Sequence, residues 1–381
     1  MLRAMFAPRL VALVTAVTAA VIVAGCGASH VKDSADYSAE GKYGIGVHTF
    51  TFVDSARATP ANGDFAGAPE RTLAVSVWYP STMKGGPYTD GLLAPGAFPL
   101  VMHSHGFMDR RTNEAYLGEH LASHGYIMAA PDFPLSQAGA PGGPTITDTA
   151  EQPRDLSFVL DNLVRENGDA SSMFHGAIDE QRIAASGLSL GGLTTLLWAF
   201  HPTLHDARIK AAMAWAAPSC MLTQPFFDQV EMPLLLLHGD SDLIVPIDAN
   251  SRRAFPLTHQ PSELVVLKNG SHTGFAGPAT FFDQSMHVDE VGCLALQGFS
   301  VASFATLGTA EQGISQDTNA CPLPCGVMPG TPALDATRQQ TLTKALALGF
   351  FDANLGHDGQ GSSFVEARAA AENPELAVEL K

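Results

Sequence analysis

Residues 182–192 read Arg-Ile-Ala-Ala-Ser-Gly-Leu-Ser-Leu-Gly-Gly. A short apolar run passes into Gly187-Leu188-Ser189-Leu190-Gly191 and then into a helical stretch reaching about Phe200. Gly-x-Ser-x-Gly between a strand and a helix is a nucleophile elbow. The turn is so sharp that side chains at the flanking positions would collide with the neighbouring strand and helix, so glycine stands there. The serine is held in a strained backbone conformation with its oxygen exposed, and the N-terminus of the following helix favours developing negative charge. The five-residue pattern is weak alone; the strand before it and the helix after it give it weight.

A serine nucleophile needs a base for its proton and an acid to orient that base. Behind an elbow these follow in chain order, Asp or Glu before His. The apolar run Pro233–Leu237 leads into His238-Gly-Asp-Ser-Asp242-Leu-Ile-Val245-Pro246, where the acid belongs. Asp242, just before Leu-Ile-Val-Pro, is assigned. Asp240 is the fallback and otherwise a turn former, and Asp248 fits the start of a helix. The next run, Glu263–Leu267, ends in Lys268-Asn-Gly-Ser-His272-Thr-Gly-Phe275. His272 lies in the loop after the final expected strand and is assigned as base. His238 reads as a strand-end hydrogen-bonding residue, and His120, His124, His201, His205 and His259 as helix or loop surface.

Leu100-Val-Met-His103-Ser-His105-Gly106-Phe107-Met108 is a strand ending in His-Gly-x, the place for the first oxyanion donor of such a site. The backbone N–H groups of Phe107 and Leu190 are assigned to the oxyanion hole. His103-x-His105 is also a candidate metal pair, but Asp109 lies too far along for the simplest spacing and Gly106 suits close backbone approach, so no metal and no cofactor is expected.

These residues must be positioned by regular elements. Strand patterns occupy 43–53, 72–79, 98–103, 126–131, 182–186, 210–216, 233–238 and 263–268, with helical patterns near 113–124, 154–166, 190–201, 247–255 and 336–354. Strands alternating with helices predict an α/β fold, a mostly parallel eight-stranded sheet covered by helices on both faces. Residues 43–381 read as one domain. Two stretches break the rhythm: 134–153, rich in Gly, Pro and Thr, and an insertion over 276–335 that carries three cysteines. The insertion either roofs the site or decorates the solvent side.

The N-terminus has Arg3 and Arg9, no acid, and an apolar run from Leu10 to Val23. That run is shorter than the ~20 residues a spanning helix needs and reads as a signal peptide. Val23-Ala24-Gly25-Cys26 resembles a bacterial lipoprotein lipobox, which implies cleavage after residue 25 and lipidation of Cys26. The expectation is an exported protein anchored to the bacterial envelope, at the outer membrane where there are two, with 26–42 as a polar tether. Losing residues 1–25 takes the formal charge from −17 to −19. Such a surface excludes an electrostatic nucleic-acid footprint, so no nucleic-acid partner is expected. Cys220, Cys293, Cys321 and Cys325 remain, in an export route where disulfides persist; four cysteines allow three pairings, and sequence does not choose among them.

Ser104-His-Gly-Phe107, Arg110, Tyr116, Leu121-Ala-Ser-His-Gly-Tyr126 and Ala129-Ala-Pro-Asp132 together resemble bacterial α/β-hydrolases related to platelet-activating-factor acetylhydrolases and dienelactone hydrolases; cutinase-type polyester hydrolases share parts of the pattern. The resemblance covers roughly 70–275 and the final helix. It implies the α/β-hydrolase fold, Ser189, Asp242 and His272 as a triad, and Phe107 and Leu190 as oxyanion donors. The elbow departs from the commoner Gly-His-Ser-x-Gly, Gly192 and Leu193 stand where polyester hydrolases place an aromatic residue, and the insertion has no counterpart. The expected function is serine carboxylic-ester hydrolysis of a short or medium acyl ester. A phospholipid acetylhydrolase, a polyester hydrolase, an acyltransferase or peptidase using the same nucleophile, and a non-catalytic binding module are the rival readings.

Overall fold

The computed structural model describes residues 31–296, 301–317, 319, 321–326, 331–356 and 360–381. The signal segment 1–25 and Cys26 lie outside the described residues. Among the described residues ten strands form one sheet: β1 Gly44–Asp54, β2 Arg71–Ser81, β3 Tyr88–Thr89, β4 Phe98–Ser104, β5 Ile127–Pro131, β6 Ile178–Leu188, β7 Ile209–Trp215, β8 Leu234–Gly239, β9 Ser262–Leu267 and β10 Leu376–Leu380. Their spatial order is β10-β9-β8-β7-β6-β4-β5-β2-β1-β3. The run β5-β4-β6-β7-β8-β9 is parallel, while β2 against β5, β1 against β2 and β10 against β9 are antiparallel.

The eight expected strands are all present. The sheet has ten because β3 adds two residues beside β1 and β10 adds an antiparallel strand that covers the edge of β9. The β10 residues Leu376, Val378 and Leu380 alternate, but a five-residue run at the end of the chain gives little pattern to read. The edge of the sheet thereby passes from β9 to the short β10.

β4, β6, β7 and β8 are buried over nearly their whole apolar length, as strands with helices on both faces must be. The helices Ala115–Ser123 and Ala336–Asn354 pack on one face, where Leu117, Leu121, Leu346 and Phe351 join Trp215 and Phe275. The helices Gln152–Gly168 and Leu190–Phe200 cover the other. Arg71 is wholly buried between Asp148 and Asp155, bonding both carboxylates, which ties the Gly- and Pro-rich stretch after β5 to the sheet.

Two expectations need correction. Residues 33–42 are docked, not a tether: Asp33 caps the helix Ser34–Ser38, and Tyr37 is buried and stacked on Phe364 at 4.2 Å. His120 and His201 are buried, not surface; His120 Nε2 bonds the Tyr37 carbonyl at 3.0 Å, which only the docked N-terminal helix supplies. The insertion is a packed layer, with Val288, Phe304, Leu307 and Ile314 buried and Ile314 bridging to Leu222.

The disulfides are Cys220–Cys321 and Cys293–Cys325, with sequence separations of 101 and 32. Cys220–Cys321 anchors the insertion to the loop after β7, Cys293–Cys325 cross-links the insertion internally, and Cys321 does not close on Cys325. Closing loops of these lengths removes about 3–5 kcal/mol of chain entropy from the unfolded state in each case. The double variant Cys220→Ala/Cys321→Ala is therefore expected to lower Tm by on the order of 5–10 °C in a calorimetric scan. An unchanged Tm would mean the insertion holds by packing alone.

Candidate active site

Four loops at the carboxyl ends of β4, β6, β8 and β9 converge, which is where open parallel sheets place their ligands. β6 delivers Ser189 at φ 57° and ψ −120°, a region non-glycine residues avoid. Its N–H donates to the Trp215 carbonyl at the end of β7, 2.8 Å away, so the strained turn is tied to the neighbouring strand. A Cβ on Gly187 would lie 2.2 Å from the Gly191 carbonyl oxygen, and one on Gly191 would lie 2.0 Å from that of Ser104. These are the contacts that demand glycine.

The loop after β4 presses against the serine: a Cβ on Gly106 would stand 3.5 Å from Ser189 Cβ. His105 shapes this loop. Its ring is buried, Nδ1–H donates to the Gly106 carbonyl at 2.7 Å, and Nε2 accepts from the Phe133 N–H at 3.1 Å. Burial pushes its pKa down to about 4, so the ring is neutral at physiological pH and suits this bonding. His103 is buried as well, 3.4 Å from Glu114 Oε2, and burial lowers its pKa to about 3. The two histidines face different partners, and among the described residues no group of three or more His, Cys, Asp or Glu could hold a metal ion. Phe107 and Leu190, the expected oxyanion donors, both line a pocket with Ser189.

β8 delivers Asp242, whose carboxylate is fully buried. Oδ1 accepts from the N–H groups of Ile244 at 2.9 Å and Val245 at 2.6 Å, and Oδ2 accepts from His272 Nδ1 at 2.7 Å. His238 Nε2 stands 3.3 Å from Oδ2 while it donates to the Val245 carbonyl at 2.7 Å. Burial opposes ionisation, but the charge of His272 and the hydrogen bonds from both imidazoles outweigh it and hold Asp242 well below the usual carboxylate range. Asp240 accepts from the Asn269 N–H and belongs to the turn.

β9 delivers His272. Burial lowers its pKa, but Asp242 first, and Asp289 and Asp109 after it, outweigh burial and raise it above 6.5. With Nδ1 committed to Asp242, Nε2 is the ring nitrogen left for proton transfer. Gln339 of the final helix fixes the residue before it, accepting from the Ser271 N–H at 3.1 Å and donating to its carbonyl at 2.7 Å.

Ser189 and His272 share a pocket of about 180 Å³ with Gly106, Met108, Asp109, Thr273 and Ala276. A second, smaller pocket of about 50 Å³ is walled by Pro218, Val245, Pro246, Val301, Phe304 and Pro324. The two meet at Phe107, Ser189, Ile244 and Leu296. The insertion thus forms a wall of the site.

Two carboxyl groups escaped the sequence reading. Asp289, on the helix Asp289–Ala295 of the insertion, bonds backbone beside both Asp242 and His272. Asp109 lines the larger pocket; burial and the neighbouring Glu114 raise its pKa well above the normal value, and burial raises that of Glu114 to about 8. Neither carries a local motif.

Residues 61–286, more than half of the chain, match the family described as "PETase: PET hydrolase-like". The chain belongs to this PET hydrolase-like family. The matched segment contains Ser189, Asp242 and His272 and stops before Asp289. A cutinase of Thermobifida alba is 26% identical over 179 residues, 47% of this chain and 54% of that protein. The chain thus spans about half the length of the cutinases it matches. A bis(hydroxyethyl) terephthalate hydrolase of Streptomyces coelicolor is 24% identical over 273 residues, covering 70% of this chain and 76% of that protein. The solved ferulic acid esterase of Streptomyces cinnamoneus superposes with a TM-score of 0.56 at 21% identity, over 83% of this chain and 92% of that one, a likeness of α/β-hydrolase fold. These matches fall on the polyester-hydrolase side of the resemblance drawn from sequence.

The elbow geometry makes a direct demand. Gly191→Ala is expected to cost about 3 kcal/mol or more in urea unfolding, because its Cβ meets backbone oxygens that cannot yield. Gly168→Ala, where a Cβ meets nothing within 4 Å, is expected to stay within about 1 kcal/mol of the parent protein.

Proposed function

We propose that this PET hydrolase-like chain is a serine carboxylic-ester hydrolase working through an acyl-enzyme. The observation that carries the reading is the buried 2.7 Å Asp242–His272 contact in a pocket shared with Ser189 at the strained elbow. His272 Nε2 takes the Ser189 proton as Oγ attacks the ester carbonyl, and Asp242 holds the tautomer and stabilises the imidazolium. The N–H groups of Phe107 and Leu190 receive the oxyanion, each with about 2.7–4 kcal/mol at stake. The protonated imidazole gives its proton to the leaving alcohol. Water activated by His272 then releases the acid and restores Ser189.

The two pockets support a divided substrate. The larger exceeds the ~150 Å³ cavity that holds benzene, so an aromatic group is a fitting occupant there. The smaller is lined almost entirely by apolar groups; Asn250, its one amide, already bonds Ser219, Cys220 and Pro246. A short apolar acyl group suits it. Bis(hydroxyethyl) terephthalate and polyester film are accordingly worth testing beside simple esters. Phospholipid acetyl esters are the second reading, favoured by the resemblance of Val23-Ala24-Gly25-Cys26 to a lipobox, lipidation of which would hold the enzyme at the envelope membrane.

Initial rates on p-nitrophenyl esters from acetate to palmitate, with protein from residue 27 onward, test the proposal. They are expected to peak at a short chain, with Ser189→Ala inactive; equal inactivity of both proteins on every ester would contradict it. Asp242→Asn is expected to cost about 10⁴-fold in kcat by favouring the wrong tautomer. The raised His272 pKa sets the acid limb of kcat/KM: activity falls as pH drops through that value, with a midpoint above 6.5. A kcat/KM that does not fall on acidification would remove His272 as the base.

A further inference from the structure

The insertion could act on the site as a wall alone. Its contacts go further. The Asp289 side chain is fully buried. Oδ2 accepts from the N–H of Leu243 at 3.0 Å and of His272 at 3.1 Å, and Oδ1 accepts from the N–H of Thr273 at 2.6 Å. Leu243 follows Asp242 in the chain. One carboxylate from outside the family-matched segment therefore bonds the backbone of the base itself and of the residue next to the acid.

The helix that carries Asp289 sits hard against both loops. A Cβ on Gly292 would lie 2.6 Å from Ile244 Cδ1 and 2.8 Å from Thr273 Oγ1. Just before the helix, His287 Nε2 lies 3.1 Å from Ser241 Oγ. Cys293 of the helix is joined to Cys325, whose N–H donates to the Leu243 carbonyl at 2.7 Å. The acid loop is thus bonded at 241 and 243, and the base loop at 272 and 273, by one disulfide-fixed unit.

We propose that Asp289 is a positioning residue: its carboxylate holds the Asp242 and His272 loops in register, so the insertion completes the site rather than covering it. The physical reason is that three N–H donors, that of His272 buried and those of Leu243 and Thr273 partly so, converge on one acceptor, and a carboxylate supplies two oxygens with no donor to repel them. An amide at this position keeps one oxygen and turns an NH₂ toward a backbone N–H. A shift of about 1 Å between base and nucleophile is enough to cost on the order of 10²-fold in rate.

The inference rests on the hydrolase reading for what the triad does, but not for what Asp289 holds. Its test therefore includes a readout that needs no turnover. His272 is faced by Asp242, which is itself beside His238; by Asp289, with His287 4.0 Å away; and by Asp109, which sits beside Glu114. Removing the Asp289 charge leaves His272 with fewer anions around it.

In full-length protein with ¹³C-labelled histidine, Asp289→Asn is expected to move the His272 imidazole titration to lower pH. The Leu243, His272 and Thr273 amides are expected to exchange faster while the β6 and β7 amides do not. On esters, kcat/KM is expected to fall on the order of 10²-fold, mostly in kcat. A folded Asp289→Asn protein with unchanged His272 titration and unchanged exchange overturns the proposal. Wild-type protein inert on every ester would instead defeat the hydrolase reading and leave these two readouts to decide the clamp. Should Asp289→Asn not fold, Cys293→Ala/Cys325→Ala releases the helix without touching Asp289. Faster exchange at the three amides then supports the clamp, and parent-like exchange overturns it.

Discussion

A carboxylate wholly removed from water must be compensated on the spot, and Asp242 is such a group. Left alone it would take up a proton and lose its hold on His272. Two backbone N–H groups of its own loop, His272 and His238 together keep it ionised. Each partner has to be held in turn. His238 is fixed by Ser251 and the Val245 carbonyl, and the His272 loop by Gln339 and Asp289. Arrangements of this kind are expensive to leave incomplete, because an unpartnered buried charge costs several kcal/mol. The crowding of polar groups behind a mostly apolar cleft follows from that one requirement.

The nucleophile side is governed by sterics instead. The turn at Ser189 survives because glycine stands wherever a side chain would strike a backbone oxygen, and because Ser189 is tied to β7. His105 does for the β4 loop what Gln339 does for the β9 loop: a neutral buried side chain binds the backbone and fixes its path. The family-matched segment thus carries Ser189, Asp242 and His272, the proposed nucleophile, acid and base, while the segment beyond it supplies a wall and a set of braces. One disulfide joins that added layer to the family-matched segment, and a second braces it internally.

Much of this was legible in the sequence. Ser189, Asp242 and His272 each follow a short apolar strand, so a strand-by-strand reading leads to the loops that carry them. The eight main strands were equally plain, since runs such as 233–238 are buried on both faces and need no alternation. What escaped shares one physical cause. Asp289 acts on residues 46, 17 and 16 positions away, and the Cys220–Cys321 pairing spans 101 residues. The docking of Tyr37 on Phe364 pins a helix whose five residues look like a polar linker. Such contacts are set by the finished tertiary arrangement, and no local periodicity encodes them. His120 and His201 were misread for the same reason, because neighbours distant in the chain bury them.

In the proposed reaction Ser189 forms a covalent acyl-enzyme with the help of His272 and Asp242. The most direct measurement is the mass of the protein quenched in acid during turnover of a p-nitrophenyl ester, followed by peptide mapping. One acyl group per chain is expected, on the peptide that contains Ser189, and none in Ser189→Ala. Turnover without any adduct, or an adduct that persists in Ser189→Ala, would contradict it.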